Sequence, residues 1–224
     1  MVALYHLAGG GTLARTRLVI TLAIETSTTR GSIALARDGE VLLERSFASE
    51  RSHNSQIFTP LGEALELATP ELIAVGTGPG SYTGARIGIA AGIGISLTHD
   101  ARLIGIPSVT LAESEGAAER YHLVGDARRG HFFYAEVEHR RLVREPELID
   151  REELTARLSD DRHLITFDPS PPAPGITVTR PSATILASVA EQLGEAEIEA
   201  LANAPVVPHY MSAPFVTMPK KRPS

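Results

Sequence analysis

Gly76-Thr77-Gly78-Pro79-Gly80-Ser81-Tyr82-Thr83-Gly84, running on into Ala85-Arg86-Ile87-Gly88-Ile89-Ala90-Ala91-Gly92, organises the whole chain. Four glycines and a proline within nine residues exclude a strand or helix interior, because glycine costs backbone entropy there and proline withdraws a donor. Upstream, Glu71-Leu72-Ile73-Ala74-Val75 is a short apolar run; downstream, Ile87 to Leu97 is a helix-length run without a charged residue. The layout is strand, glycine-rich turn, helix, in which N–H groups at the helix start can cradle an anion. On that ground Gly78, Gly80, Ser81 and Thr83 are candidate nucleotide or anion contacts. The glycine spacing is that of neither familiar phosphate loop, and no Lys follows. A tight turn that lets a helix pack close to a sheet accounts for the same residues equally well.

Working outward, Leu18–Ile24 is a nearly continuous β-branched and aliphatic run and reads as a strand covered on both faces. It ends in a hydroxyl-rich turn from Glu25 to Gly31. Ser32–Ala36 and Glu40–Phe47 follow as strands joined at Asp38-Gly39, a hairpin signal, so three strands form an antiparallel meander. Asn54 to Ala68 has helical spacing at Ile57, Leu61, Ala64, Leu65 and Ala68, with Pro60 expected to kink it or to cost its first turns a hydrogen bond. Leu72–Val75, the glycine turn, the apolar helix and a strand over Arg102–Ile106 complete the order β-β-β-α-β-α-β. That is an α/β layout with a mixed sheet, shared by ribonuclease-H-like and actin-like ATPase (ASKHA) domains.

Beyond Pro107 the pattern is less regular. A helix is expected over Ser108–Ala118, strands at His122–Val124 and His131–Val137 around the turn Asp126-Ala127-Arg128-Arg129-Gly130, and a helix opened by an Asp150/Glu153 capping box. A strand over His163–Phe167, a proline-rich loop, and a helix capped by Ser182 follow. The expected organisation is a loose tail at 1–17, an N-terminal lobe at 18–106, a smaller divergent second lobe at 107–212, and a mobile tail at 213–224.

Composition narrows the function classes. With 43% hydrophobic and 21% charged residues, the chain reads as a soluble globular protein. Its longest uncharged apolar run is too short to span a bilayer, and its early arginines follow the first apolar stretch, against the order of a signal peptide. A cytoplasmic protein without a membrane role is the default. No cysteine is present, which removes disulfides, thiolate nucleophiles and Cys-ligated zinc. A net charge of −6 argues against a broad nucleic-acid face, so any such contact should be small or made through a partner.

The chemistry-bearing candidates are few. Glu25, with Thr26 and Ser27, stands where an acid could hold Mg²⁺ through water, or could simply accept bonds from its own turn. No further acids sit at obvious strand ends, so a two-metal nuclease is excluded. No two of the eight histidines lie three or four residues apart, which leaves a zinc peptidase without ligands. Ser27 and Ser81 have no identifiable His base. The Asp126–Arg129 turn could bind an anion, although a surface ion pair is the commoner outcome. The apolar helix has no polar side: Ile89, Ile93 and Leu97 share one face, Gly88, Gly92 and Ser96 the next, and Ile87, Ala91 and Ile95 the third. Such a helix is either buried all round or covered by a partner, and the small-residue face would admit another helix backbone.

Leu22-Ala23-Ile24-Glu25-Thr26-Ser27, His53-Asn54-Ser55-Gln56 with Pro60, Gly76 to Leu97, and Asp126-Ala127-Arg128-Arg129-Gly130 together resemble the TsaB (YeaZ) family. The likeness covers residues 20–140 well, Gly76–Gly92 being its most specific part, and Pro208-His209-Tyr210-Met211 is similar to a degraded family tail motif. The resemblance implies a two-lobed actin-like fold and a subunit of the bacterial machinery that adds threonylcarbamoyl to the adenosine beside the anticodon, in tRNAs reading A-starting codons. It implies that this chain does not itself transfer the group. The paralogue TsaD carries that active site, and TsaE is a further ATPase partner. It also implies partner helices in the N-terminal lobe, with Ile57, Leu61, Leu65, Arg86, Ile89, Gly92, Ile93, Ser96 and Leu97 as the expected contacts. ATP or ADP with Mg²⁺ is the candidate ligand at the partner interface, a homodimer is a further expectation, and tRNA is met only through the complex. The competing readings are an actin-like kinase or ATPase using Glu25, Thr26 and the Gly76–Gly84 turn, and an inactive relative of a metallopeptidase.

Overall fold

In the computed structural model the described residues are 19–48, 56–113, 119–158 and 162–209. The expected tails at 1–17 and 213–224, the His53-Asn54-Ser55 segment and Tyr210-Met211 lie outside them.

β1 (Ile20–Glu25), β2 (Arg30–Arg37) and β3 (Glu40–Ala48) form the expected antiparallel meander. α1 (Phe58–Leu67), β4 (Leu72–Gly76), α2 (Tyr82–His99) and β5 (Arg102–Ile106) follow. The sheet order is β3-β2-β1-β4-β5, with β4 parallel to both β1 and β5. The uninterrupted apolar run of β1 is explained by its place between β2 and β4, where both of its faces are covered.

The period-2 alternation of β1 and β4 sorts the core into two layers. Leu22, Ile24, Ile73 and Val75 point to one face, where Ile57, Leu61 and Ala64 of α1 and Ile89 and Ile95 of α2 join them. Ala23, Leu72 and Ala74 point to the other, together with Ala34 and Ala36 of β2. That alanine-rich face is covered by α4 (Ala183–Glu191) and α5 (Glu195–Ala202), through Ala183, Leu186, Ala187, Ala190 and Ile198. Small side chains on both partners let α4 lie close to β1 and β2, and Ser32 Oγ accepts from Ala183 N at 3.0 Å at its start. Residues 183–202, drawn from the stretch expected to build the second lobe, thus complete the first sheet.

Pro60 does not kink α1. It is the third helical residue, in the first turn, where no intrahelical partner for an N–H exists. The helix expected over Ser108–Ala118 is not formed at its start: Ser108–Thr110 make one 3₁₀ turn, and Ala112 bridges to Pro181.

The second sheet has the order β11-β10-β6-β7-β8, built from β6 (Arg120–Arg128), β7 (His131–Glu138), β8 (Arg141–Leu142), β10 (Leu164–Thr166) and β11 (Thr177–Val178). A further short strand, β9 (Glu147–Ile149), pairs with β7. α3 (Arg151–Leu158) opens with the expected capping box: Asp150 Oδ1 accepts from Glu153 N at 2.9 Å, and Glu153 Oε2 accepts from Asp150 N at 3.2 Å. Leu154 of α3 closes a small core with Val124, Phe132, Tyr134 and Leu164.

Candidate functional site

The glycine turn begins the helix earlier than its apolar run suggests. Ser81 is the N-cap, its Oγ accepting from Gly84 N at 3.1 Å, so Tyr82, Thr83 and Gly84 are already helical. The turn between β1 and β2 docks against this helix start. Ser27 O accepts from Ser81 N at 2.5 Å, and Thr26 Oγ1 donates to Gly84 O at 2.8 Å. A Cβ at Gly80 would stand 2.2 Å from Ser27 O, and one at Gly84 2.0 Å from Thr26 O. These two glycines permit backbone-to-backbone contact that any side chain would block.

Farther along the helix, a Cβ at Gly88 would lie 2.3 Å from Thr26 Oγ1, and one at Gly92 2.6 Å from Val75 Cγ1. The small-residue face, expected to receive another helix, is therefore filled by the chain's own sheet. Ser96 is also used internally: its Oγ donates to Ala101 O at 2.6 Å beyond the helix end. Ile57, Leu61 and Ile89 are buried in the first core and Leu65 is partly buried against it. Of the expected partner contacts, Arg86, Ile93 and Leu97 are exposed, Leu97 at 80%. Phe58, Leu67 and Tyr82, not among the expected contacts, are also exposed on α1 and α2, at 66%, 59% and 48%. Phe58 and Leu67 lie off the 3.6-residue stripe that packs inward, and that signal was available in the sequence.

Glu25 is wholly buried. Its Oε1 accepts from Ser27 N at 2.6 Å, its Oε2 has no hydrogen-bond partner, and a Cβ at Gly76 would lie 1.9 Å from that oxygen. Burial pushes its carboxyl above the ordinary value, against the opposing effect of its hydrogen bonds, first those with Ser27. Neighbouring Ser108 Oγ accepts from Gly78 N at 2.9 Å, and Ser108 N donates to Gly78 O at 2.8 Å. Glu25 thus accepts a bond from its own turn, as in the second of the two readings its position allowed.

A cleft of about 650 Å³ separates the two sheets. Ser27, Thr28, Gly78, Gly80, Ser81 and Thr83 line one wall; Asp126, Arg128, Phe133 and Asp168 line the other. Pro208 and His209 close one side, where His209 N donates to Thr77 O at 2.8 Å and Val206 packs near Gly105. Asp168 Oδ2 accepts from Asp126 N at 2.7 Å, and Asp126 Oδ1 accepts from Arg128 N at 2.8 Å. Burial, then the nearby Asp126 charge, raises the Asp168 carboxyl above its ordinary value.

Part of the donor set expected for a magnesium nucleotide is already engaged within this chain. The N–H groups of Ser81 and Gly84 are taken by Ser27 O and Ser81 Oγ, and the Glu25 carboxylate lies under the turn rather than in the cleft. Among the described residues no three His, Cys, Asp or Glu side chains cluster in a way that could hold a metal ion. No helix among them is long and apolar enough to cross a membrane.

A mixed five-stranded sheet with this order, layered by helices on both faces and paired with a second sheet across a cleft, is of the actin-like type. Residues 48–151 match the family model described as TsaD, tRNA N6-adenosine threonylcarbamoyltransferase. The chain is 34% identical over 124 residues to the tRNA threonylcarbamoyladenosine biosynthesis protein TsaB of Escherichia coli, covering 51% of this chain and 53% of that protein. It is 31% identical over 126 residues to TsaB of Haemophilus influenzae, covering 52% of each. The solved structure of YeaZ from Pseudomonas aeruginosa superposes with a TM-score of 0.65 at 22% identity, over 86% of this chain and 99% of that one, which speaks to the fold. Over the matched stretch the chain is similar to the TsaB/YeaZ family. It spans about half the length of the curated relatives it matches.

Proposed function

We propose that this chain is a non-catalytic subunit in tRNA threonylcarbamoyladenosine biosynthesis, which docks a TsaD partner on the outward faces of α1 and α2 and works with TsaE. The observation that carries the reading is the exposed apolar set Phe58, Leu67, Ile93 and Leu97, on two helices whose inward faces are already filled. Large apolar side chains left exposed along one helix face, as Tyr82, Ile93 and Leu97 are on α2, mark an interaction site more often than they mark chance exposure. The names of the relatives supply the pathway. tRNA is then met inside the complex.

The test is co-elution with TsaD, followed by a modification assay with TsaD and TsaE. The wild type is expected to co-elute and to restore threonylcarbamoyl transfer, and Phe58→Glu and Leu97→Glu are expected to abolish both while melting like the wild type. Co-elution of both variants at wild-type strength would remove the proposed surface. Appreciable ATP turnover by the isolated chain would favour the kinase class instead.

A further inference from the structure

The chain passes from the first sheet to the second after β5 and returns after β11, and the described residues of the two crossings, 107–113 and 179–182, are tied to each other. Glu113 N donates to Arg180 O at 2.8 Å, Ser182 N donates to Leu111 O at 3.1 Å, and Arg180 Nε donates to Glu113 Oε2 at 2.5 Å. The first crossing is shared between two cores: Leu111 is buried with the first sheet, Val109 and Ala112 with the second. A further element reaches this junction. The hairpin joining β7 to β8 turns on His139 and Arg140, both in the left-handed region at φ 47° and 61° although neither is glycine. A two-residue turn of this kind favours Asn-Gly, and other side chains persist there only where their surroundings hold them. The holding contact is Arg140 Nη1, which donates to Ala112 O at 2.7 Å and to Thr110 O at 3.4 Å. Beside it, Arg141 Nη1 pairs with Glu197 of α5 at 2.9 Å, from the second sheet to a helix of the first.

We propose that this hairpin is a bolt between the two sheets: Arg140 pins the first crossing and so fixes the width of the cleft. Two bodies joined by two chain crossings can rock about them through changes of φ and ψ at a few connecting residues. Thr110 and Ala112 are such residues, and the carbonyls of both are held by a guanidinium that belongs to the second sheet. Both residues are buried, so turning either peptide would strip a charged donor from a carbonyl that water replaces poorly. The Arg141–Glu197 pair, 65% and 45% exposed, holds little by itself. The turn therefore carries an unfavourable backbone at Arg140 in order to aim that one side chain. The cleft keeps one width until Arg140 leaves the connector, whatever partner the chain docks.

The chain has no cysteine, so Thr29→Cys and Pro169→Cys, at exposed positions on the two walls of the cleft, take a pair of spin labels without background. Double electron–electron resonance on the full chain then reads the cleft width, and amide hydrogen exchange at Glu113 and Ser182 reads opening of the crossings. Arg140→Asn is the decisive variant, because asparagine accepts the left-handed backbone but is too short to reach the carbonyls. The wild type is expected to give one narrow distance. Arg140→Asn is expected to broaden it, to add longer distances, and to speed exchange at both amides by about tenfold, the scale of one bond from a charged donor. Arg141→Ala is expected to leave both readouts at their wild-type values. Two distances in the wild type would overturn the bolt without any variant. Faster exchange in Arg140→Asn at an unchanged narrow distance would also overturn it, leaving Arg140 as a brace of the connector alone, and so would no change in either readout.

Discussion

Helix α2 has two unlike faces, and the contrast between them explains how this chain divides its surface. The inward face presents Gly84, Ala85, Gly88, Ile89, Gly92 and Ile95, all buried. Its glycines bring the helix backbone against Thr26 and Val75, where little room remains for a methyl group. The outward face presents Tyr82, Arg86, Ile93 and Leu97, where Arg86 Nη1 donates to Tyr82 OH at 2.8 Å and lies 5.1 Å from the ring centre. One helix thus has an inner side where a methyl group is too much and an outer side where a leucine is left over. The amino acids look alike; their neighbours do not.

Ile89→Asp is the severest way to break the comparison. It places a carboxylate in the first core with no partner, so loss of the folded monomer is expected, with loss of the far-UV CD transition as the readout. A cooperative, folded Ile89→Asp monomer would mean the inward face is not closed.

Gly84→Val comes next. Its Cβ would stand 2.0 Å from Thr26 O, a backbone atom that cannot rotate away, so a cost of about 1–3 kcal/mol or more is expected in urea unfolding. Gly94→Ala, at a position with open space around its Cβ, is the matched control and should be neutral or stabilising by about 1 kcal/mol.

Glu25 tests the base of the turn through pH. Its folded value lies above the ordinary 4.5, so between those two values the folded state holds more protons than the unfolded one. Stability should therefore be greatest below the unfolded value, fall as pH rises through the folded one, and stay flat above it. Glu25→Gln removes that fall and should leave the protein at neutral pH at least as stable as wild type. Denaturant titrations at acid and neutral pH decide it, and a variant that keeps the wild-type slope would show that another group sets it.

Leu97→Glu is the gentlest change to the fold. At 80% exposure it should alter monomer stability by no more than about 0.5 kcal/mol, while under the proposed docking it should sharply weaken TsaD co-elution. A Tm drop comparable to that of Gly84→Val would mean the outward face is covered within the chain itself.

Much of the first sheet was legible because its signals are local. The aliphatic run of β1, the Asp38-Gly39 hairpin and the strand–glycine–helix junction each depend on a few adjacent residues, and the meander with its parallel additions follows from them. The candidate contacts were less legible. Ile89 and Ile93 are four residues apart on one apolar stripe, yet one is buried and the other 41% exposed. No periodicity separates them, because the stripe is wider than the sheet that covers it. Gly92 and Ser96 read as an open seam until the strand beneath and the Ala101 carbonyl were seen to fill it.

The sequence by itself determined the element order, the sheet's central strand, the need for glycine at the turn, and the resemblance to the TsaB/YeaZ family, since all of these reside in short-range pattern and residue type. Only the tertiary structure decided which face of α2 is spent on the fold, that residues 183–202 return to cover the first sheet, and that Glu25 lies beneath the turn. It alone also brought Arg140 against the carbonyls of Thr110 and Ala112. Each of these depends on groups far apart in the chain meeting in space, and a one-dimensional pattern carries no record of such meetings.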